Sequence, residues 1–364
     1  MPLSSAALAR IDSVAQSLAG KFTQRTLADS VSVLSRIYTR ERAQLGQLDK
    51  SSLLARAGFF FARDMIKPFG PLDELFLRGA LPAGERWRVL DLGAGMGATS
   101  FGVARWLRTQ ASPVKQLTVL ALEQNASALR GFGAFTQALN ELEEFTPIAL
   151  DARAEDLHSL RGERGFQLVL LGFVLNQLFV DAPDRIERRA QLVRDAFELL
   201  APDGALIILE PASKESSREL MELRDRLRDL PIIAPCLHDA PCPMLPSARD
   251  WCHQELAYAL PPALADVARA ASLRWEGLSY ASLVLAKRPP ARRDGQWRVV
   301  SDRLESKGKL ELYGCGSGRY QRFTQLNRKA SPLNRAFSDA QRGDVLRIEG
   351  DAPRIEEDTP VERA

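Results

Sequence analysis

VLDLGAGMGATS, residues 89–100, decides how the rest of the chain is read. A short apolar run ends in Asp91, three glycines follow at alternate positions (Gly93, Gly95, Gly97), and TSFGVARWLR then takes up helical spacing. Glycine lets a backbone turn sharply, and it lets a ligand lie against the chain with no Cβ in the way. The spacing G-x-G-x-G differs from the G-x-G-x-x-G dinucleotide fingerprint, so its meaning depends on what surrounds it.

On the C-terminal side the pattern repeats. LTVLALEQN reads as a second strand closing on Glu123, and ASALRGFGAFTQALNEL as the helix after it. PIALDA is a third strand with Asp151 at its end. FQLVLLGF is a fourth, RIERRAQLVRDAFELLAPDG a helix, and ALIILEPA a fifth strand. Short apolar strands separated by helices, without polar alternation, predict a parallel sheet covered on both faces. The expected fold is therefore α/β, a Rossmann-like doubly wound sheet. Asp91, Glu123 and Asp151 would line its carboxyl edge, where such sheets bind ligands. Asp91 suits a positively charged amine near the loop, and Glu123 can accept both hydroxyls of a ribose. Asn176, in GFVLNQLF after the fourth strand, reads either as a ligand contact or as the start of the next helix.

Residues 1–80 carry helical periodicity, and LLARAGFFFARDMIKPFGPLDELF continues it with prolines as punctuation. The first 26 residues are Ser/Ala-rich and lack the apolar core of a secretory signal. No apolar run approaches the ~20 residues of a membrane span. After the fifth strand we expect a helix at SKESSRELMELRDRLRDL and another at ELAYALPPALADVARAA. Two strands, LRWEGL and YASLVLAKR, should complete the sheet. PPARRDG reads as a linker into a small β-rich module. The domains expected are a helical region 1–80, an α/β domain 81–288 with a cysteine-rich insertion 231–256, a module 289–349, and an acidic tail 350–364.

The formal charge of +3 over 364 residues conceals an uneven distribution. Residues 287–348 hold 15 Lys/Arg against 6 Asp/Glu, and residues 349–364 hold 2 against 6. A basic module followed by an acidic end fits a nucleic-acid-facing surface with a self-masking or disordered tail.

The glycine loop with its carboxylates resembles the class I S-adenosylmethionine-dependent methyltransferases, over about residues 85–290. The resemblance implies that Gly93, Gly95 and Gly97 border the methionine part of the cofactor, Glu123 the ribose and Asp151 the adenine end. The N-P-P-Y type of motif that orients an exocyclic amine for methylation is absent after the fourth strand.

APCLHDAPCPMLPSARDWCHQ, residues 234–254, holds three of the four cysteines in a loop stiffened by Pro235, Pro241, Pro243 and Pro246. Its HDAPCP imitates the nucleophile motif of RNA cytosine-5 methyltransferases, but Cys242 follows the fifth strand where that motif follows the fourth. Cys236, Cys242 and Cys252 are spaced C-x5-C-x9-C, and Cys315 in the basic module completes a set of four thiolates. That set suits tetrahedral zinc or an iron–sulfur cluster, with His238 and His253 as further zinc ligands. The segment, with YGCGSGRYQRFTQLNR downstream and FFFARDMIKPFGPLDELF upstream, resembles the methyltransferase-like assembly factors of the small ribosomal subunit, known in bacteria and mitochondria. This resemblance implies that Cys236, Cys242, Cys252 and Cys315 hold a [4Fe–4S] cluster and that the chain binds S-adenosylmethionine. It also implies the small ribosomal subunit and its rRNA as partners, with no membrane. Off the ribosome the protein would be a monomer, in the cytoplasm or, in a eukaryote, the mitochondrial matrix. Leu237 stands where the family commonly has proline. Arg319, Arg322, Arg328 and Lys329, with Tyr320 and Phe323 among them, are the candidate RNA contacts. Whether the chain is an active rRNA methyltransferase or a binding factor that has lost the activity stays open at this point.

Overall fold

The computed structural model describes residues 2–40, 50–155, 162–289 and 295–364. Ahead of the sheet lie α1 (Ser5–Ala19), α2 (Gln24–Arg40), α3 (Lys50–Ala55), a π-helical turn (Arg56–Phe60), α4 (Phe61–Asp64) and α5 (Phe69–Leu77). The alternation read from sequence follows as β1 (Arg86–Leu92), α6 (Ala98–Thr109), β2 (Gln116–Leu122), α7 (Ala126–Leu139), β3 (Ile148–Arg153) and β4 (Phe166–Gly172). Next come α8 (Arg185–Glu198), β5 (Leu200–Glu210), α9 (Lys214–Arg226), β6 (Ile232–Ala234), β7 (Gln254–Ala259), α10 (Pro262–Ala270) and β8 (Glu276–Ala286).

These strands form one sheet in the order β3-β2-β1-β4-β5-β8-β6, with β7 also on β8. The first five are parallel, and β8 runs antiparallel to β5. The sheet is thus Rossmann-like and doubly wound, mixed rather than wholly parallel at its far edge.

The N-terminal helices share the core of this sheet. Phe61 stacks on Phe135 of α7 with centroids 3.7 Å apart and meets Phe101 of α6 edge-on at 5.6 Å. Arg105 of α6, almost fully buried, donates to the Pro2 carbonyl at 2.6 Å. Ser4 caps α1 by accepting the Ala7 N–H at 3.0 Å. Residues 2–80 therefore wrap the domain as part of it.

Two expectations at the far edge change. ELAYALPPALADVARAA divides into strand β7 and helix α10, because Pro262 is tolerated in a helix's first turn and Pro261 ahead of it not within one. LRWEGL and YASLVLAKR merge into the single strand β8, entered through Gly277 at φ 71°. β6 and β7 both pair antiparallel with β8, Ala234 opposite Val284 and Gln254 opposite Tyr280. Four residues of strand separate those anchor points, roughly 13 Å. The cysteine loop is an excursion pinned at both ends to one strand.

The expected linker falls mostly at 290–294, outside the described residues. Beyond it lie β9 (Gln296–Val299), β10 (Leu304–Ser306), β11 (Lys309–Gly316), β12 (Arg319–Leu326), α11 (Arg335–Ser338), β13 (Val345–Ile348), β14 (Arg354–Ile355) and β15 (Val361–Arg363). They make a second sheet, β14-β12-β11-β9-β13-β15, with β10 on β11. Trp297, Leu312, Phe323 and Phe337 fill its separate core. The acidic end, expected to be a disordered or masking tail, is an integral part of this sheet. Ile355 and Val361 are buried in its core, Glu356 lies 3.2 Å from Lys329, and Asp344 of the module 3.3 Å from Arg363.

Candidate functional site

β1 ends by delivering Asp91, in register with Ala121 and Leu170, into the interior. The loop that follows is held to β2, with the Leu122 carbonyl accepting the N–H groups of Gly93 at 2.8 Å and Ala94 at 3.1 Å. Gly93, Gly95 and Gly97 all take positive φ, at 67°, 54° and 84°. Their surroundings differ. A Cβ on Gly93 would stand 2.3 Å from Val174 Cγ2, and one on Gly97 2.4 Å from Phe132. A Cβ on Gly95 would meet nothing within 4 Å. Packing of the chain itself demands the outer two glycines, and the middle one faces open room.

Glu123 reaches across that room. Its carboxylate accepts the Gly95 N–H at 3.0 Å and the Asn125 N–H at 2.9 Å. Asp91 accepts the Ser100 hydroxyl at 2.6 Å. Burial pushes its carboxyl up to about 7, against the Ser100 hydrogen bond, and the Glu123 charge adds to the rise. Asp91 and Glu123 thus come together as read from sequence, one below the loop and one at its rim.

Asp151 does not join them. It pairs with Leu120, in the body of β3, whereas Glu123 stands beyond the end of β2, one residue past the pair of Leu122 with Arg153, and donates its N–H to the Arg153 carbonyl. Three residues of strand separate the two levels, roughly 10 Å. The Asp151 side chain is about half exposed and sits 2.7 Å from Arg153. Asn176 lies in a 3-10 turn (Leu175–Gln177) after β4, buried, its N–H 3.3 Å from Glu210. Its Oδ1 has no partner among the described residues.

The second candidate site is the seam between the two sheets. The cysteine loop has no helix or strand of its own, so its carbonyls need donors from elsewhere. Arginines on and just after α9 supply them. Arg218 donates to the carbonyls of Leu245, Ser247 and Asp250, Arg224 to those of His238 and Ala240, and Arg228 to that of Asp239. Asp225 accepts the Cys242 N–H at 3.0 Å. From the other side comes the β11–β12 hairpin. Ser317 and Gly318 form its two-residue turn, both at positive φ as a tight hairpin requires. A Cβ on Gly318 would lie 2.9 Å from Ala240, so the hairpin tip presses on the loop between Cys236 and Cys242.

Cys315, just before that tip, approaches His238 Nε2 at 3.8 Å. Burial pushes its thiol well up, and Cys236, Cys252 and Cys242 add to the rise. Cys252 is pushed up to about 12, again by burial first and then by Cys236 and Cys242. The structure therefore gathers all four cysteines into mutual electrostatic reach, none of them in a disulfide. Among the described residues no three Cys, His, Asp or Glu side chains are placed to hold one metal ion.

Two buried cations flank the thiols, and sequence reading missed both. Arg224 keeps its charge although burial opposes it, because Cys236 and Asp225 outweigh the cost. Arg298 on β9, fully buried, pairs with Glu74 of α5 at 2.6 and 2.9 Å and donates to the carbonyls of Pro235 at 2.7 Å and Gly343 at 2.8 Å. The available signal was an arginine inside the apolar run WRVV. Of the candidate RNA contacts, Arg322 is exposed and Tyr320 stacks on Tyr313 at 5.2 Å. Phe323 is buried against Trp297 and belongs to the module core, because alternation along β12 turns it inward.

No helix among the described residues is long and apolar enough to cross a membrane. No curated protein matches the chain. Among solved structures, a class I S-adenosylmethionine-dependent methyltransferase from Listeria monocytogenes is 10% identical, covering 79% of this chain and 90% of its own with a TM-score of 0.41. Magnesium protoporphyrin IX methyltransferase from Synechocystis PCC 6803 is 14% identical over 73% and 98%, TM-score 0.35. An S-adenosylmethionine-dependent O-methyltransferase from Thermotoga maritima is 15% identical over 62% and 67%, TM-score 0.34. Residues 82–347, well over half of the chain and spanning both sheets and the seam between them, match the family described as mitochondrial small ribosomal subunit Rsm22, and the chain belongs to that Rsm22 family.

Proposed function

We propose that this protein is an S-adenosylmethionine-binding, iron–sulfur-containing factor that acts on the small ribosomal subunit and its rRNA during assembly. The observation that carries the proposal is the seam. A loop from one sheet and a hairpin from another bring four thiols together between two buried arginines. Cys236, Cys242, Cys252 and Cys315 would each hold one iron of a [4Fe–4S] cluster, whose net negative charge suits Arg224 and Arg298. A cluster offers each thiolate its own iron, whereas the zinc alternative needs its ligands on a single centre. Cluster binding and placement of the basic module would then be one event, since Cys315 belongs to that module. Arg319, Arg322 and Arg328 would meet phosphates, and the Tyr313–Tyr320 pair an unpaired base. In the cleft, Gly95 would face the cofactor, Glu123 its ribose and Asp91 its ammonium group.

The test is iron, acid-labile sulfide and zinc per chain after anaerobic purification. About four iron and four sulfide are expected. One zinc without sulfide would replace the cluster with a zinc staple, and no metal would remove the staple altogether. A second reading, an active rRNA methyltransferase, is favoured by the open room at Gly95. Gly95→Trp separates the two. The variant is expected to lose S-adenosylhomocysteine binding and still associate with small-subunit particles. Loss of one rRNA methyl mark in the same cells would establish the enzyme reading.

A further inference from the structure

The segment RAGFFFARDMIK, residues 56–67, carries three cations and one acid in an otherwise apolar run. It opens with the π-helical turn, a distortion found often beside functional sites. The turn at residues 65–68 is pressed against α6, one turn past its start: a Cβ on Gly102 would lie 2.2 Å from the Met65 carbonyl and 2.8 Å from Pro68. From that turn Lys67, 5% exposed, places its ammonium 4.4 Å from the centre of the Phe173 ring and 2.7 Å from Asp64. Phe173 stands immediately after β4, held at φ 60° with its N–H on the Leu209 carbonyl at 2.7 Å, and the next residue, Val174, packs on Gly93. Lys67 therefore spans from α6 to the exit of β4, one residue from the contact of Val174 with Gly93. Arg56, Asp64 and Glu123 all act on the Tyr38 hydroxyl, so the segment's charges and the rim acid share one neighbourhood. The Nε groups of Arg56 and Arg63 are buried there without a hydrogen-bond partner among the described residues.

An amino-acid end group presents a carboxylate as well as an ammonium. Asp91 and Glu123 account for a cation and a diol, and Glu123 already takes the Gly95 N–H. Nothing on the sheet edge so far described is left to receive the anion. We propose that Lys67, which shares Asp64 with Arg63, binds the carboxylate of the ligand's amino-acid moiety, so that the N-terminal helical segment closes the cleft by a charge contact. The inference rests on the reading of the cleft as an S-adenosylmethionine site. A carboxylate there would gain a desolvated ammonium in a site from which water is largely excluded, where charged hydrogen bonds are strongest.

Calorimetry with two ligands tests it on the full chain: S-adenosylhomocysteine, which carries the amino-acid end, and 5′-methylthioadenosine, the same nucleoside without it. Lys67→Met is expected to weaken S-adenosylhomocysteine by about tenfold to a hundredfold and to leave 5′-methylthioadenosine unchanged, and Lys67→Arg to restore most of the loss. Equal weakening of both ligands, or no change in either, would overturn the assignment. If Lys67→Met does not fold, Arg63→Gln is read against the same pair with the same criterion. A wild-type chain that binds 5′-methylthioadenosine as tightly as S-adenosylhomocysteine keeps the nucleoside site and refutes the carboxylate contact. One that binds neither overturns the cofactor reading and this inference with it.

Discussion

The glycine cleft and the cysteine seam, the two candidate sites, are built in opposite ways. The cleft is local. Its loop, its rim acid and the hydrogen bond joining them lie within 35 residues, between neighbouring parallel strands, and its residue types follow from backbone conformation. The seam is assembled from afar. Glu74, the loop after Ala234, Arg298, Cys315 and Gly343 meet there, and the Arg298–Glu74 pair alone bridges 224 positions. Backbone geometry dictates little in such a place. Buried charge and unpaired carbonyls dictate nearly everything. In both places burial opposes the ionisation of acids, of Asp91 in one and of the Cys252 and Cys315 thiols in the other.

The seam should break hardest. Arg298→Met leaves Glu74 with Arg78 alone and orphans two carbonyls, and removing one partner of a buried pair costs about 3–5 kcal/mol. The urea midpoint is expected to fall accordingly and iron content to drop, with S-adenosylhomocysteine affinity within twofold of wild type. A parallel loss of affinity would show that the two sites are coupled through α5.

Within the cleft, the comparison of outer and middle glycines sharpens. Gly97→Ala combines a left-handed alanine, about 1–2 kcal/mol, with overpacking against Phe132, about 1–3 kcal/mol. Gly95→Ala carries only the first cost. Thermal unfolding should rank Gly97→Ala well below Gly95→Ala, while ligand affinity suffers more at Gly95. The reverse ranking of affinities would mean that the ligand does not use the open side of the loop.

What was readable beforehand divides along the same line. Five strands, the loop and the pairing of Asp91 with Glu123 could be placed because apolar strand runs and glycines at positive φ are local signals. The placement of Cys315 near the other three cysteines was expected from the count of four thiols and from a resemblance, since no spacing rule connects a loop at 236–252 to a hairpin at 315. Arg224, Arg298 and Lys67 were missed for a physical reason: a buried charge is defined by its partners, and those partners are distant in sequence. Proline misled in ELAYALPPALADVARAA, where helical periodicity ran through a dipeptide that starts a helix. The acidic end misled because charge was counted and Ile355 and Val361, the residues that pack, were not.

A smaller effect follows from the Asp91 carboxyl. Folding raises it from 3.8 to about 7, so between those values the folded chain holds a proton that the unfolded chain has released. Its contribution to stability is complete below pH 4, falls as pH rises toward 7 and is gone above that. Asp91→Asn should therefore gain on wild type progressively from pH 4 to 7 in urea unfolding, then run parallel to it. A constant difference across that range would mean that Asp91 is ionised in the folded chain as in the unfolded one.

The smallest effect is expected at Asp151, and it tests the geometry that separates this residue from Glu123. An exposed carboxylate beside a partly exposed arginine is screened by water, so Asp151→Asn should leave the urea midpoint unmoved. S-adenosylhomocysteine affinity should be unmoved as well, because the β3 register sets Asp151 opposite Leu120, below the rim where Glu123 turns toward Gly95. Glu123→Gln is the contrast, altering the one acid whose two oxygens are fixed on the loop and on Asn125. A loss at Asp151 comparable to that at Glu123 would require the nucleoside to lie down along β3 toward the strand body, and would move the adenine pocket away from the carboxyl edge of the sheet.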